Sequence, residues 1–263
     1  MATRKPDAKA ATTAKAGARP SYPPSELIAL LGAEYGRLPD RPHGDPMAEL
    51  VLTLLSQNTS DHNSGRAFQR LLARFPGWDE VLAAPTAEVE EAIRPGGLAP
   101  TKAPRLQALI GAAREGVAAL AKGDAERDPY DLHFLEELPL NEAKAWLRAL
   151  PGVGPKTAAC VLLFALDRPA LPVDTHVERV ARRLGLVPPK MPVERVHDEL
   201  EAMLAPDEVY AFHVDLIQHG RRTCHARRPE CERCVLLDHC PRIGLEGPRP
   251  EREVPAESPS TST

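Results

Sequence analysis

The chain has 263 residues, of which 43% are hydrophobic but only 4% aromatic; that length suits one or two domains of roughly 150 residues, with a core built chiefly from Ala, Leu and Val. Its 33 Lys and Arg against 37 Asp and Glu leave a net charge of −4, which argues against a polyanionic partner unless basic residues are gathered locally. No apolar run approaches the roughly 20 residues that span a bilayer, no signal-peptide core opens the chain, and five cysteines point to metal or redox chemistry in the cytoplasm rather than to a disulfide framework.

In chain order, residues 1–20 carry five basic side chains and one acid amid Ala, Thr, Pro and Gly, the composition of a disordered basic arm. Met47, Leu50, Val51, Leu54 and Leu55 then recur with the spacing of an amphipathic helix. Similar stripes predict helices over 64–74, 101–121, 141–149 and 193–204. Pro- and Gly-rich breaks separate them at 41–46, 94–100 and 187–192. No short run alternates as a strand does, so the predicted fold class is all-α. From Gly244 to Thr263 the chain is rich in Pro, Glu and Ser, which predicts a disordered tail.

Charge is unevenly spread. Residues 124–142 hold seven acids and one Arg, which reads as a solvated acidic face. Arg94, Lys102, Arg105 and Arg114 lie in a stretch without acids, as do Arg221, Arg222, Arg227 and Arg228. These two stretches are expected to face any polyanion that the neighbouring motifs bind.

Three motifs carry chemistry. The first is Leu150-Pro151-Gly152-Val153-Gly154-Pro155-Lys156-Thr157-Ala158. Two glycines around one apolar residue make a hairpin whose backbone can approach a ligand closely, and Pro155 suits the first turn of the next helix. The free N–H groups there form an anion site fit for a phosphate. The second is Val173-Asp174-Thr175-His176. Thr175 and Glu178 have the spacing of a capping box, and Asp174 alone would serve as a plain cap. Paired with Lys156, however, it supplies the amine and carboxylate that imine-forming base excision needs.

The third motif is Cys224-x6-Cys231-x2-Cys234-x5-Cys240. With a single Cys-x2-Cys pair, it fits a two-knuckle zinc site less well than a [4Fe–4S] cluster. The flanking His219, His225 and His239 are expected to be neutral surface histidines. Cys160, inside an apolar run, is expected to be a small core residue.

Together these motifs resemble the endonuclease III family of the helix-hairpin-helix DNA glycosylase superfamily, over residues 25–243. The resemblance implies Lys156 and Asp174 as catalytic residues. It implies Cys224, Cys231, Cys234 and Cys240 as ligands of a [4Fe–4S] cluster. It also implies that Gly152, Val153, Gly154 and Thr157 contact DNA. Leu54-Leu55-Ser56-Gln57-Asn58-Thr59-Ser60-Asp61 is similar to the family's helix end whose amide side chain fills the gap left by a flipped base, a role open to Gln57 or Asn58. Gly97-Leu98 resembles the loop that wedges an apolar side chain into the opposite strand.

The implied architecture is two helical domains with a DNA cleft and the hairpin between them. A six-helix barrel-like domain would span 39–168. An iron–sulfur domain would combine 21–38 with 169–243. The implied activity is removal of oxidised pyrimidines from duplex DNA and nicking at the abasic site, by a monomer acting on cytoplasmic nucleoid DNA. Two features depart from the family pattern: a long connection between Leu98 and the hairpin, and Pro155 in place of a basic residue. Two rivals stand beside this reading. Adenine-removing relatives generally lack the lysine and carry a further C-terminal domain, and a non-catalytic DNA binder would use Lys156 only for a phosphate.

Overall fold

Proline and short polar side chains set where the helices begin. The computed structural model describes residues 23–36, 44–121 and 128–251; the expected arm at 1–20, the first acids of the 124–142 stretch and the chain from 252 onward lie outside the described residues. Helix α1 (Pro24–Tyr35) opens on a proline. Helix α2 (Pro46–Leu55) is capped by Asp45, whose side chain accepts from the Ala48 N–H at 2.5 Å. Helix α3 (Asp61–Arg74) is capped by Ser60. Two short helices follow, α4 (Trp78–Ala83) and α5 (Thr86–Ile93), then a 3-10 turn (Arg94–Gly96) and the long α6 (Ala99–Ala121). Further on come α7 (Leu140–Ala149), α8 (Pro155–Phe164), α9 (Thr175–Arg183), α10 (Val193–Glu201) and α11 (Val209–Arg222). No strand occurs among the described residues, and the fold is all-α.

Two hydrophobic cores form. The first gathers Met47, Leu50, Val51, Leu54 and Leu55 of α2 with Leu71, Val89, Ile93, Leu106, Leu109, Ile110, Leu147, Val161 and Leu162. The second gathers Leu27 and Leu31 of α1 with Leu163, Leu171, Val177, Val180, Val196, Leu200, Phe212, Leu216, Leu236 and Leu237. Helix α8 contributes to both, so it forms the wall that the two cores share. Burying each Leu or Val of this kind stabilises the fold by about 1.5–3 kcal/mol.

Two expectations are corrected here. The helix expected over 193–204 ends at Glu201. The described part of the acidic stretch is more than a solvated face: Tyr130, Leu132 and Leu135 are buried in the first core while Glu136 and Glu137 point outward. Arg168 holds that segment, donating to Leu135 O at 2.7 Å, Glu136 O at 2.8 Å and Leu138 O at 2.9 Å. Residues 244–251, at the start of the expected tail, have no helix and are mostly exposed, though two arginine bonds tie the segment locally. Arg249 donates to Leu237 O, and Arg242 donates to Pro248 O at 2.8 Å.

A polar tie joins α7 to α10. Lys144 meets Glu201 at 2.5 Å, and the same carboxylate accepts from the Leu171 N–H at 2.8 Å. The carbonyl of Leu171 accepts from Nδ1 of buried His197 at 3.1 Å, and burial holds the His197 imidazole below its ordinary pKa of 6.5. A histidine kept neutral in the fold is protonated more readily in the unfolded chain, so its contribution is fully present above about pH 6.5 and is lost as the pH falls below it. We expect the unfolding midpoint to drop between pH 7.5 and 5.5, and to drop less in His197→Gln; equal slopes in both proteins, measured by thermal unfolding, would show that His197 plays no part.

Candidate active site and nucleic-acid interface

The hairpin between α7 and α8 is built on a left-handed glycine. The Val153 N–H closes the turn on Leu150 O at 3.2 Å, and Gly152 sits at φ +78°. Val153 points down into the first core while Gly152 and Gly154 are exposed. A Cβ built on either glycine would meet nothing within 4 Å, so the backbone faces open space. Helix α8 has no side-chain cap at Gly154. Its first N–H groups, on Lys156 and Thr157, have no acceptor within the helix and present partial positive charge to a phosphate.

Lys156 stands half-buried on the first turn of α8. One turn further, Cys160 is buried at 4% exposure, as a core residue should be. Burial pushes its thiol up to about 11, with a hydrogen bond to Lys156 and the charges of Lys156, Glu49 and Asp174 acting on it as well. Lys156, Asp174 and Glu49 therefore all lie within electrostatic reach of one buried sulfur. Sequence reasoning pairs the first two and misses Glu49. The signal is an acid inside the otherwise apolar run of α2, where Glu49 also accepts from the Thr53 hydroxyl at 3.1 Å.

Asp174 is the N-cap of α9, and its Oδ1 accepts from the N–H groups of both His176 and Val177 at 2.8 Å. Thr175 therefore heads no capping box, and Glu178 instead pairs with Arg182 at 2.8 Å. The remaining arginines of α9 reach across to the cysteine loop. Arg179 donates to Cys224 O at 3.0 Å and Gly220 O at 2.8 Å. Arg183 donates to His225 O at 2.6 Å, Ala226 O at 3.0 Å and Cys224 Sγ at 3.2 Å. Helices α9 and α11 approach so closely that a Cβ on Gly220 would sit 2.9 Å from that of His176.

Cys224, Cys231, Cys234 and Cys240 line one small cavity with Val180, Arg183, Leu184, His219 and Leu236. Four thiols lining one cavity are a donor set that fits an iron–sulfur cluster. Burial above all, with the neighbouring cysteines adding, pushes the Cys234 thiol up to about 12, an opposition to thiolate that bound iron offsets.

His219 corrects its expectation in part. It is neutral, with burial lowering its pKa to about 4, but it is 2% exposed rather than on the surface. Its Nε2 lies 3.7 Å from Cys234 Sγ and its Nδ1 2.8 Å from the Tyr35 hydroxyl, which is also 2.8 Å from Thr223 Oγ1. A cluster-bound thiolate only accepts. Nε2 then carries the proton, and Tyr35 donates to Nδ1.

The basic stretches are less available than their sequence suggests. Lys102 is buried, Arg94 pairs with Glu91, and Arg114 pairs with Asp79 at 3.2 Å. Arg221 pairs with Asp61 at 2.9 Å and Arg222 lies over the Tyr35 ring at 5.5 Å, while Arg105, Arg227 and Arg228 are exposed. Leu98, by contrast, is displayed. It is 56% exposed at φ +53°, directly after Gly97 at φ +67°. Asn58 is held at φ +55° beyond the end of α2, and Gln57 precedes it in a half-buried turn.

Residues 51–206 match the HhH-GPD superfamily of base excision DNA repair proteins, and residues 224–240 match the iron–sulfur binding domain of endonuclease III. A putative DNA glycosylase of Arabidopsis thaliana is 37% identical over 74% of this chain, which spans 64% of that protein's length. Endonuclease III of Thermotoga maritima is 33% identical over 74% of this chain and 83% of its own. The solved structure of a trapped endonuclease III–DNA covalent intermediate is 28% identical, covers 84% of this chain and 97% of its own, and superposes with a TM-score of 0.66. The chain belongs to the endonuclease III family of HhH-GPD proteins, and is a DNA-binding base-excision-repair glycosylase with a [4Fe–4S] cluster.

Proposed function

We propose that this glycosylase is bifunctional: it removes oxidised pyrimidines from duplex DNA and then nicks the strand at the resulting abasic site. The observation that supports the reading is that Lys156, at the uncapped start of α8, and the carboxylate of Asp174 both act electrostatically on the buried thiol of Cys160. The target nucleotide leaves the stack, which costs a few kcal/mol. Gln57 or Asn58 occupies the gap and Leu98 wedges the opposite strand. The hairpin N–H groups of Gly152 to Thr157 grip the backbone phosphate.

Lys156 then attacks C1′ as the free amine, the bond to the base breaks, and the base leaves with a proton. Asp174 stabilises positive charge developing on the sugar and accepts protons there. The C1′–O4′ bond of that adduct then opens, O4′ taking a proton as the nitrogen lone pair forms the C=N bond, and the resulting imine acidifies the proton on the 2′ carbon. Loss of a 2′ proton expels the 3′ phosphate, which is the nick, and water releases the lysine. Cys224, Cys231, Cys234 and Cys240 hold the cluster, whose contribution is to fix the loop that α9 grips.

Lys156→Ala is expected to abolish enzyme–DNA adducts trapped with borohydride while retaining duplex binding; an adduct formed by that variant would remove Lys156 as the nucleophile. Asp174 has two roles that substitution can separate. Asn is as good a cap as Asp, whereas Ala removes about 1 kcal/mol of capping. Asp174→Asn should keep the unfolding midpoint and lose base release, and Asp174→Ala should lose both. Wild-type turnover by Asp174→Asn, on a panel of duplexes each carrying thymine glycol, a dihydropyrimidine, uracil or an abasic site, would leave Asp174 as a cap alone. The same panel tests the substrate class, since release of uracil alone would overturn the choice of oxidised pyrimidines.

A further inference from the structure

Lys102 has an ammonium that neither base release nor nicking uses. It lies on α6 at 4% exposure, and its Nζ donates to Leu55 O at 2.7 Å and to Gly96 O at 2.9 Å. Both bonds go to backbone oxygens, with no carboxylate engaged among the described residues. The two acceptors are the last carbonyls of α2 and of the 3-10 turn, ends that carry partial negative charge. Burial lowers the Lys102 pKa, and a buried amine of this kind is retained only where such acceptors compensate it.

Each acceptor stands at the root of a corner that faces solvent. Three residues after Leu55 the chain turns through Asn58 at φ +55°, and directly after Gly96 it turns through Gly97 at φ +67° and Leu98 at φ +53°. For asparagine that conformation is uncommon, and for leucine it is an outlier that persists only where the surroundings impose it. The backbone of α6 adds to the grip, since the Lys102 N–H itself donates to Leu98 O at 2.9 Å. Gly96 also sits hard against the neighbouring helices, where a Cβ would lie 3.0 Å from that of Ala67 and 3.9 Å from Leu55 O.

We propose that Lys102 is a positioning residue that locks the Gln57-Asn58 corner and the Leu98 corner at a fixed separation, so that gap-filling amide and wedge enter the duplex as one rigid unit. The inference rests on the proposed function, in which these two corners enter DNA. Lys102 touches neither substrate nor Lys156. Its effect is on how often an extruded nucleotide is held, not on the bond changes that come after.

The test compares wild type with Lys102→Met, Leu98→Ala and the double variant in single-turnover release of thymine glycol, alongside nicking of a preformed abasic site. Misplacing a group by about 1 Å costs on the order of 100-fold, so Lys102→Met should slow base release by ~10–100-fold. Affinity for undamaged duplex should stay within about 2-fold, and the loss at an abasic site, where no base needs unstacking, should be smaller. A side chain that merely stabilises the fold would slow both reactions alike. With the corners already uncoupled, adding Leu98→Ala to Lys102→Met should cost less than Leu98→Ala does alone. Strictly additive losses, or wild-type base release by Lys102→Met, would overturn the clamp. If Leu98→Ala itself releases base normally, the assignment of the corners to DNA fails instead. Should Lys102→Met lose iron or unfold, Lys102→Arg keeps a cation with paired donors. It should release base at an intermediate rate, with the abasic reaction again less affected, and equal slowing of the two reactions in that variant would also overturn the proposal.

Discussion

Two guanidiniums on α9 tie the proposed site to the cysteine loop. Asp174 is fixed at the head of that helix by two N–H groups, but the helix is itself held by Arg179 and Arg183, which direct their donors to three carbonyls and one sulfur of the loop beginning at Cys224. Arg183 is buried and Arg179 half-buried. A cation in that setting needs acceptors held in place, and an uncoordinated cysteine loop is a poor frame for them. Cys224, Cys231, Cys234 and Cys240 would hold the iron–sulfur cluster, which would stiffen the loop, and Arg179 and Arg183 would carry that stiffness to α9 and the Asp174 carboxylate. The hydrogen bonds to Cys224 and Cys234 from Arg183 and His219 belong to the same system, since groups around a cluster's sulfurs also tune it.

The proposed nucleophile, Lys156, comes from the other side of the seam. Helix α8 packs Val161 and Leu162 into the first core and Leu163 into the second, so its axis is set by both bodies at once. Its N-terminus is thereby left open beside the hairpin, without any side chain capping it. The tie from Lys144 to Glu201 and on to Leu171 holds α10 against the same seam. Chemistry at this junction requires both cores to be formed. The displayed corners at Asn58 and Leu98 belong to the first core alone, where a buried ammonium and a close-packed glycine maintain backbone conformations costing about 1–3 kcal/mol each.

How far the sequence is legible depends on the kind of constraint at each position. The hairpin can be read because a positive-φ turn demands Gly152 and a helix start accepts Pro155. The long helices can be read because their apolar stripes span several turns. Short helices such as α4 carry too few turns for a stripe, and α10 ends before its pattern does, since the chain turns at Ala202. Lys102 and His219 escape a sequence reading for one reason. Polar residues are assigned to the surface by default, and the partners that allow their burial, the acceptors Leu55 O and Gly96 O for one and the Tyr35 hydroxyl as donor for the other, come from other elements of the fold. Glu49 escapes it because only the fold brings α2 against α8.

Charge shows the same limit and leads to a different account of DNA binding. A net −4 does not prevent it, but neither do the acid-free stretches supply what their residue types suggest. Arg94, Arg114 and Arg221 already face carboxylates. Exposed pairs of this kind are worth only about 0–1 kcal/mol, so a phosphate can displace the acid easily, yet the displaced carboxylate then remains beside the DNA and cancels part of the gain. Each phosphate neutralised by a free cation steepens the salt dependence by nearly one unit of slope. Backbone N–H groups at a helix start bind a phosphate without delivering a full charge. Under the proposed function, recognition that leans on the hairpin of Gly152 to Thr157 needs little net positive charge, because peptide groups supply contacts that lysines and arginines would otherwise make.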